Sequence, residues 1–453
     1  ISFSGRYPGG GESANIAPCF SSWFFLRANE MDDTVTSNLP GTRDLLPGEI
    51  DRWQLVEDRA RRIFSQYGFL EIRTPIIEPT ELFARGIGED TDIVGKEMYT
   101  FVDQSNRSIT LRPEATASVV RAYIQNTMYR GGGLTKLYYI GPMFRHEKKQ
   151  KGRWRQFYQI GAEALGSDHP AVDAEMIEMA LWLLESLGVK AKLLINSVGC
   201  SNCRPPYLER LRSELEQRLP GMCEDCRRRA ATNTLRVFDC KVESCQPFID
   251  RLPSITDNLC AECGNHFAGV RRHLEQAGIS YEIVPRLVRG LDYYVRTAFE
   301  IVSGELGSQN AVAGGGRYNG LSEVLGGPPV QALGFAMGLD RLVMILPEEQ
   351  RADFKWRPDV FLAYMGEPAF EKAGEIAREL RHRGYSCYID FSEGRLKGQM
   401  RLANKLNAEH VLIIGEDELS RGKYTIKRLA DSRQWEVTIP ELQDYLATLN
   451  RSI

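Results

Sequence analysis

Hydrophobic positions in the first two thirds of the chain follow helical and strand periods in turn. Residues 51–67 repeat at helical spacing, and the apolar positions of one face are Trp53, Val56, Ala60, Ile63 and Phe64. Residues 136–146 and 156–165 are aromatic-rich and are joined by a charged loop, a pattern that predicts an antiparallel hairpin. This mixture predicts an α+β fold built on antiparallel strands.

The remaining elements extend this pattern to about residue 345. We expect a helix over 171–187, a strand over 192–196, strands within 283–302, a glycine-rich turn at 314–320 and a helix from near Met337. Residues 200–280 are cysteine-rich and irregular before becoming helical, which indicates an insertion. We therefore predict one domain over residues 38–345 that contains this insertion.

The pattern changes after residues 346–357, a charged linker bounded by prolines. Strands such as DVFLAYMG, YSCYID and HVLIIG then alternate with amphipathic helices, and YTIKRL with WEVTI predicts a final hairpin. Residues 358–453 are therefore predicted to form a separate small α/β domain.

Residues 1–37 are rich in Gly and Ser, and the chain begins with Ile. We expect a disordered or mis-called extension here, ahead of a natural start at Met31. No apolar run reaches the roughly 18–20 residues that a membrane helix needs, and the features of a signal peptide are missing. The prediction is a cytoplasmic protein with no membrane partner.

Charge is balanced over the whole chain but not within residues 144–155. The 57 basic and 60 acidic residues give a net charge of −3, whereas FRHEKKQKGRWR holds six Lys or Arg and one Glu. In a strand, Arg145 points away from Phe144 and His146, where its fork suits a phosphate. The basic loop that follows is either a clamp for a polyanion or a solvated hairpin tip. The return strand brings Gln159 and Glu163 near the same place.

Two glycine-rich stretches fail as phosphate loops. GGGRYNG carries Asn319 where a dinucleotide fingerprint needs its last glycine. In GEDTDIVGKE the spacing of the glycines before Lys96 does not match that of a P-loop, and Glu97 stands where Ser or Thr would bind magnesium. Any nucleotide would therefore bind on the antiparallel sheet, without a helix-capping loop.

Several separated motifs resemble the class II aminoacyl-tRNA synthetases. FRHE with its loop resembles their motif 2, GFAMGLDRL their motif 3, and GFLEIRTPIIEP their motif 1, which forms the dimer interface. LVRGLDYYVRTAFE and GGGRYNGL resemble the two signature motifs of the histidyl-tRNA synthetase family, and PGTRDLLP and LRPEATASVVR fit it too. Ala115 and Asn319 depart from the usual pattern, but neither removes a group that the chemistry needs.

The resemblance implies a class II antiparallel-sheet catalytic core with a Cys-rich insertion, followed by an anticodon-binding domain. It implies a homodimeric ligase that activates L-histidine with ATP and Mg²⁺ and charges tRNA(His). Activation joins two anions and needs no protein nucleophile, so charge neutralisation and alignment suffice.

Site residues follow from the same resemblance. The catalytic residues would be Arg145 at the α-phosphate, Arg289 at the substrate carboxylate and α-phosphate, and Arg341 at the far end of ATP, with Glu147 and Arg153 also binding ATP. Histidine would contact Glu114, Thr116 and Gln159 through its amino group, and Glu163, Tyr293, Tyr294 and Tyr318 through its imidazole. The tRNA would contact Lys148, Lys149, Gln150, Lys151 and Arg155.

Eight of the ten cysteines fall between residues 200 and 263. Cys200-x2-Cys203 and Cys223-x2-Cys226 have the spacing of one four-thiolate zinc site, and Cys240, Cys245, Cys260 and Cys263 would form a second. Buried, unliganded thiols are the alternative. The prediction is structural Zn²⁺ without a catalytic role.

Two other functions remain as alternatives. The first is the non-catalytic regulatory subunit of ATP phosphoribosyltransferase, a relative expected to lack the signature motif around Arg289 and the C-terminal domain. The second is a tRNA-sensing module attached to a kinase, although no kinase glycine loop or HRD-like stretch is present. Both fit the sequence less well than a synthetase.

Overall fold

The computed structural model describes residues 37–88, 91, 93–147, 152–288, 290–307, 310–351, 356–392 and 394–449. The predicted N-terminal extension falls outside these ranges, apart from residue 37. Within them, no helix has both the length and the apolar character needed to cross a membrane.

Helices and strands are numbered in chain order. The α-helices are α1 (Ile50–Gln66), α2 (Thr80–Ile87), α3 (Thr116–Gln125), α4 (Pro170–Ser186), α5 (Arg204–Glu216), α6 (Glu224–Thr232), α7 (Gln246–Ile249), α8 (Ala261–Gln276), α9 (Leu321–Val324), α10 (Leu339–Met344), α11 (Glu367–His382), α12 (Leu396–Lys405), α13 (Glu416–Arg421) and α14 (Ile439–Thr448). The strands are β1 (Leu70–Glu71), β2 (Ile77–Pro79), β3 (Tyr99–Val102), β4 (Ser108–Leu111), β5 (Thr135–Phe144), β6 (Gln156–Leu165), β7 (Lys192–Ser197), β8 (Tyr281–Ile283), β9 (Val295–Val302), β10 (Ala311–Arg317), β11 (Ala332–Gly338), β12 (Val360–Tyr364), β13 (Cys387–Ile389), β14 (His410–Ile414), β15 (Tyr424–Arg428) and β16 (Gln434–Val437).

An eight-stranded sheet forms the frame of the larger domain, in the order β1-β5-β6-β11-β10-β9-β7-β8. Its edge strands β1 and β8 pair parallel to their neighbours, and the six strands between them pair antiparallel. The predicted hairpin is confirmed, since β5 and β6 pair continuously from Thr135 with Leu165 to Phe144 with Gln156. A separate three-stranded sheet has the order β2-β4-β3.

The two faces of the large sheet have different coverings. Helices α1, α4, α8 and α10 pack on one face, and the predicted apolar face of α1 is buried there as expected. On β6, Ile160, Ala162 and Ala164 point into this core. Because side chains alternate along a strand, Gln159 and Glu163 point to the opposite face. The polar positions of β6 thus mark the face that carries the site.

The turn predicted at residues 314–320 is wrong over its first half. Gly314, Gly315 and Gly316 belong to β10, which pairs with β9 on one side and β11 on the other. Glycine usually weakens a strand, but backbone pairing on both sides outweighs that preference here. The strand region predicted over 283–302 is also divided, because β8 ends at Ile283 and β9 begins at Val295.

The insertion lies between β7 and β8 and has its own small core, which includes Tyr207, Leu211, Val237 and Ile249. The C-terminal elements form a five-stranded sheet in the order β13-β12-β14-β15-β16. Strands β13, β12 and β14 are parallel, and β14, β15 and β16 are antiparallel. The predicted final hairpin corresponds to β15 and β16.

Candidate active site

A cavity of about 300 Å³ opens on the face of the large sheet that α1 and α4 leave uncovered. Strands β5, β6, β9, β10 and β11 supply its floor, and the segments around Glu114 and Leu291 supply its walls. Of the predicted site residues, those that line it are Glu114, Thr116, Arg145, Glu147, Arg153, Gln159, Tyr293, Tyr294 and Arg341. Residues far apart in sequence therefore meet at one place.

Glu163 lies directly behind the cavity wall and is fully buried. Its Oε1 accepts a hydrogen bond of 2.8 Å from the hydroxyl of Thr116, and its Oε2 accepts one from the hydroxyl of Tyr318. Burial raises the pKa of the Glu163 carboxyl to about 8, against the smaller lowering effect of these two hydroxyl donors. At neutral pH this position is therefore occupied mainly by the neutral acid.

Gly334 explains how the carboxyl of Glu163 fits against the sheet. The two residues are paired opposite each other on β11 and β6. A Cβ atom at position 334 would lie only 1.7 Å from Oε2 of Glu163. Glycine is required here because the carboxyl occupies the space of a side chain.

Glu114 precedes α3 and caps the free backbone amides of its first turn. Its Oε2 accepts from the N–H of Thr116 at 2.6 Å, and its Oε1 accepts from the N–H of Ala117 at 2.9 Å. Burial raises the pKa of Glu114, and these two N–H donors oppose that rise. The helix amides fix the carboxylate in the cavity wall.

Gln159 carries a polar atom for which the fold supplies no partner. Its Oε1 is buried and accepts no hydrogen bond from the part of the chain that the structure describes. Buried polar atoms are almost always paired, and exceptions need an explanation. An acceptor facing the cavity from the sheet floor is a candidate ligand-binding group.

Three tyrosines pack together at the enclosed end of the cavity. The ring of Tyr293 lies 4.8 Å from that of Tyr294 and 5.6 Å from that of Tyr318, centroid to centroid. Burial raises the pKa of Tyr293 and of Tyr318 well above that of free tyrosine, so both phenols stay protonated. Tyr318, like Glu163, lies behind the wall.

Arg145, Arg153 and Arg341 surround the other end of the cavity, which we call the arginine mouth. Arg145 donates to the carbonyl of Pro113 at 2.8 Å and lies over the ring of Phe157, 5.3 Å from its centroid. Burial, followed by the positive charge of Arg153, lowers the pKa of Arg341. Partly buried cations that repel one another favour an anionic ligand.

Glu147 holds part of the arginine mouth in place. One of its oxygens lies 2.7 Å from Arg153, and the other lies 3.7 Å from Arg145. The backbone N–H of Arg145 donates to the carbonyl of Arg155 at 2.8 Å, which closes the base of the basic loop. The side chain of Arg155 packs over Gly41.

Five predicted residues lie outside the part of the chain that the structure describes. They are Arg289, Lys148, Lys149, Gln150 and Lys151. Gly290 and Leu291, which follow Arg289, line the cavity, while Arg145 and Gly152 on either side of the loop lie at the arginine mouth. Their roles remain predictions from the sequence.

The side chains that line the cavity but were not predicted include Tyr139, Phe157 and Glu300. Each stands at an alternate position of a strand whose other face packs into the core. Combining strand alternation with the positions of Gln159 and Arg145 would have indicated them. Glu300 is an acidic residue beside the arginine mouth, and its negative charge opposes the lowering of the Arg341 pKa.

The eight insertion cysteines form two groups, but not the groups predicted from their order. The junction cluster contains Cys200, Cys203, Cys260 and Cys263, and the inner cluster contains Cys223, Cys226, Cys240 and Cys245. The predicted grouping of the first two Cys-x2-Cys pairs is wrong. The first pair precedes α5, and the second lies at the start of α6, with Cys223 as its N-cap and Cys226 in its first turn. The fold returns Cys260 and Cys263 to the start of the insertion.

Comparison with known proteins places the chain in a family. The family model described as histidyl-tRNA synthetase matches residues 41–220 and 228–342, and the anticodon binding domain matches residues 359–449. The chain belongs to the histidyl-tRNA synthetase family. The expected fold class, a class II core followed by an anticodon-binding domain, is thereby confirmed.

Relatives of this family cover most of the chain. A protein of Solibacter usitatus named histidine–tRNA ligase is 54% identical over 404 residues, which is 89% of this chain and 96% of that relative. One of the same name from Koribacter versatilis is 50% identical over 418 residues, 90% of this chain and 95% of that relative.

Two solved structures share the fold. Apo histidyl-tRNA synthetase of S. aureus is 38% identical, with a TM-score of 0.77 over 90% of this chain and 99% of its own. A Bacillus halodurans protein titled as an ATP phosphoribosyltransferase regulatory subunit/histidyl-tRNA synthetase is 21% identical, with a TM-score of 0.62 over 85% of this chain and 100% of its own. At 21% identity this likeness shows the fold alone.

Proposed function

We propose that this cavity activates L-histidine with ATP to give histidyl-adenylate, and that the chain then transfers histidine to the 3′ end of tRNA(His). The observation that carries the proposal is one cavity with two chemically different ends. At one end, buried acids and tyrosines lie in or directly behind the wall, and at the other end three arginines line it. An amino acid and a nucleotide triphosphate would meet between them.

The enclosed end suits an imidazole. Neutral imidazole has one N–H donor and one acceptor, and the Tyr293 phenol and the acid behind the wall offer both kinds of group. Thr116 connects the wall to Glu163 through its hydroxyl. A pocket that pairs both ring nitrogens rejects side chains that lack them, because its own buried polar groups would be left unpaired.

The amino group of histidine is assigned to Glu114 and Gln159. Glu114 is held by helix amides, and Oε1 of Gln159 is buried without a partner among the described residues. An ammonium supplies the donors that both oxygens accept. Arg289 is assigned to the carboxylate, as the resemblance implies.

The arginine mouth is assigned to ATP. The carboxylate of histidine attacks the α-phosphorus, a P–O bond forms, and pyrophosphate leaves with the electron pair of the broken bond. Arg145 is assigned to the α-phosphate and Arg341 to the far end of the triphosphate, with Glu147 orienting Arg153. These fixed cations stabilise charge that moves onto the leaving group, so no protein nucleophile is needed.

Magnesium accompanies ATP in this proposal. Glu300 and Glu147 bring carboxylate oxygens to the arginine mouth, and oxygen donors of this kind suit Mg²⁺. The ion would neutralise phosphate charge there. Any metal held by the two cysteine clusters is assigned a structural role, since neither cluster lines the cavity.

The tRNA assignment uses both domains. The basic loop of residues 148–155 is assigned to the acceptor end of the tRNA, because its described residues Gly152 and Arg153 line the cavity at the arginine mouth. Residues 358–453 are assigned to the anticodon. This C-terminal domain argues against the regulatory-subunit alternative, which is expected to lack it, and relatives at 48–54% identity are named as ligases. Neither family match includes a kinase domain.

We also propose a homodimer and a cytoplasmic location. Apolar side chains are exposed around the stretch that resembles the dimerisation motif, with Leu70 at 70%, Ile77 at 51% and Phe101 at 47% exposure. Exposed apolar groups on and beside such a motif are typical of an interface. The unpaired thiols of the cysteine clusters suit a reducing compartment.

Pyrophosphate exchange into ATP tests the activation step. Histidine should drive exchange, and the other amino acids should not. Gln159→Leu should raise the KM for histidine about 10- to 100-fold, the effect of losing one hydrogen bond to a charged group. Gln156→Leu, on the same strand but outside the cavity, is the matched control. Exchange driven equally by several amino acids, or by none, would refute the proposal.

A further inference from the structure

We propose that the insertion binds two zinc ions, one in the junction cluster and one in the inner cluster, and that the junction zinc supports the histidine end of the cavity. The sulfur atoms of each cluster all lie within 4.8 Å of one another. Four thiols at such mutual distances form the ligand set of a closed structural zinc site.

The measured distances fit a tetrahedron of thiolates around a metal. Zinc–sulfur bonds of about 2.3 Å place the four sulfurs about 3.8 Å apart in a regular tetrahedron. In the junction cluster, Sγ of Cys200 lies 3.7 Å from that of Cys203 and 3.9 Å from that of Cys260. In the inner cluster, Sγ of Cys223 lies 3.8 Å from that of Cys240.

Disulfides do not explain these distances. A disulfide holds its sulfurs about 2.05 Å apart and joins them two at a time. Here each sulfur has three sulfur neighbours within 4.8 Å, and Sγ of Cys200 lies 3.7 Å and 3.9 Å from two of them. Packing of unliganded thiols gives no reason for two separate groups of four.

Backbone amides are aimed at the sulfur atoms, as they are around structural metal sites. In the junction cluster, the N–H of Cys260 donates to Sγ of Cys203 at 3.1 Å. In the inner cluster, the N–H of Cys223 donates to Sγ of Cys245 at 3.2 Å. Cys203, Cys223 and Cys260 also occupy the N-cap positions of α5, α6 and α8. Helix N-termini favour negatively charged groups, here thiolates.

The two sites have different positions in the fold. The junction cluster joins residues that are 60 positions apart and ties the start of the insertion to its end. The inner cluster lies within the insertion, where Cys226, Cys240 and Cys245 belong to its small core. A core of this size gains much of its stability from a metal.

A short chain of contacts leads from the junction cluster to the cavity. Arg204 follows Cys203 directly, donates to the carbonyl of Val198 at 3.0 Å and also donates to the carbonyl of Tyr294. Val198 packs against Tyr294, whose ring lies against Tyr293 in the cavity wall. Loss of the junction zinc should therefore loosen the histidine end of the cavity, whereas loss of the inner zinc should not.

Metal counting tests the number and the grouping of the sites. Full-length protein purified without chelator should contain two zinc ions per chain by elemental analysis. Cys203→Ser with Cys260→Ser removes two ligands of one cluster and should leave one ion. Cys203→Ser with Cys223→Ser removes one ligand from each cluster and should leave none. Cys387→Ser, in the C-terminal domain, should keep both ions.

Several results would overturn the proposal. One is the wild type binding fewer than two ions per chain. Another is no ion in Cys203→Ser with Cys260→Ser and one ion in Cys203→Ser with Cys223→Ser, which is the result expected if the cysteines group by sequence order. If the variants do not fold, cobalt titration of the metal-free wild type decides. The intense visible absorption of tetrahedral thiolate sites should stop rising at two cobalt ions per chain, and an end point at one ion, or weak absorption throughout, would overturn the proposal. Disulfides in every cluster of anaerobically purified protein would also refute it.

Kinetics tests the link to the cavity, and this part rests on the proposed function. Cys203→Ser should raise the KM for histidine several-fold, and Cys240→Ser should leave it near the wild-type value. Both variants should lose one zinc, so the metal count serves as the internal reference. An unchanged KM in Cys203→Ser that has lost its zinc would overturn the coupling but not the metal sites.

Discussion

Glu163 should make the stability of the catalytic domain depend on pH in a direction opposite to that of most carboxylates. Its pKa is about 8 in the folded protein, because burial disfavours the charged form, against an ordinary value of 4.5. Between these values the folded state keeps a proton that the unfolded state has released. Folding therefore takes up a proton, and the free energy of unfolding falls as the pH rises through this range.

The magnitude follows from the two pKa values. One pKa unit corresponds to 1.36 kcal/mol, so the whole difference amounts to at most about 5 kcal/mol. Roughly 3–4 kcal/mol of this is lost between about pH 5 and pH 8. Glu163→Gln removes the contribution, since the amide is neutral at every pH. The hydroxyls of Thr116 and Tyr318 can donate to it or accept from it.

Urea unfolding of the wild type and of Glu163→Gln measures the effect. The unfolding free energy of the wild type minus that of Glu163→Gln should fall by about 3–4 kcal/mol from pH 5 to pH 8. Protein concentration must be the same throughout, because dimer formation would shift the midpoints. Glu305→Gln, the same change at an exposed position, is the control and should run parallel to the wild type. A difference that is constant, or that grows with pH, would refute the argument.

Three further changes test other parts of the structure. Gly334→Ala should lower kcat/KM for histidine in pyrophosphate exchange at least tenfold, because the new Cβ would lie 1.7 Å from Oε2 of Glu163 and displace the carboxyl; wild-type kinetics would contradict this. Asp173→Asn should lower the unfolding free energy by about 3–5 kcal/mol, because it removes the counter-charge of the fully buried Arg317, whose guanidinium lies 2.6 Å from Asp173 in the wild type. A chain ending near Glu348, if folded and dimeric by sedimentation, should still form adenylate but charge tRNA poorly, with residual tRNA binding that weakens steeply as salt is added. Undiminished charging would show that the C-terminal domain does not read tRNA.

The sequence by itself determined the elements and the family. The buried face of α1 could be predicted because one side of a surface helix must be apolar at every third or fourth position. The β5–β6 hairpin followed from two apolar runs joined by a charged loop, and the structure confirms the antiparallel pairing. Separated motifs in the expected order indicated the histidyl-tRNA synthetase family. These features are local, because each is determined by residues that are close together in the sequence.

Tertiary structure decided which distant residues meet. Spacing grouped Cys200 with Cys223, but the fold returns the end of the insertion to its start and places Cys260 beside Cys200. The glycines of β10 looked like a turn until strands on both sides supplied partners for their backbone. The neutral form of Glu163 likewise depends on burial by several segments at once. Burial and cross-chain pairing depend on the path of the whole chain, so the local pattern of residues does not contain them.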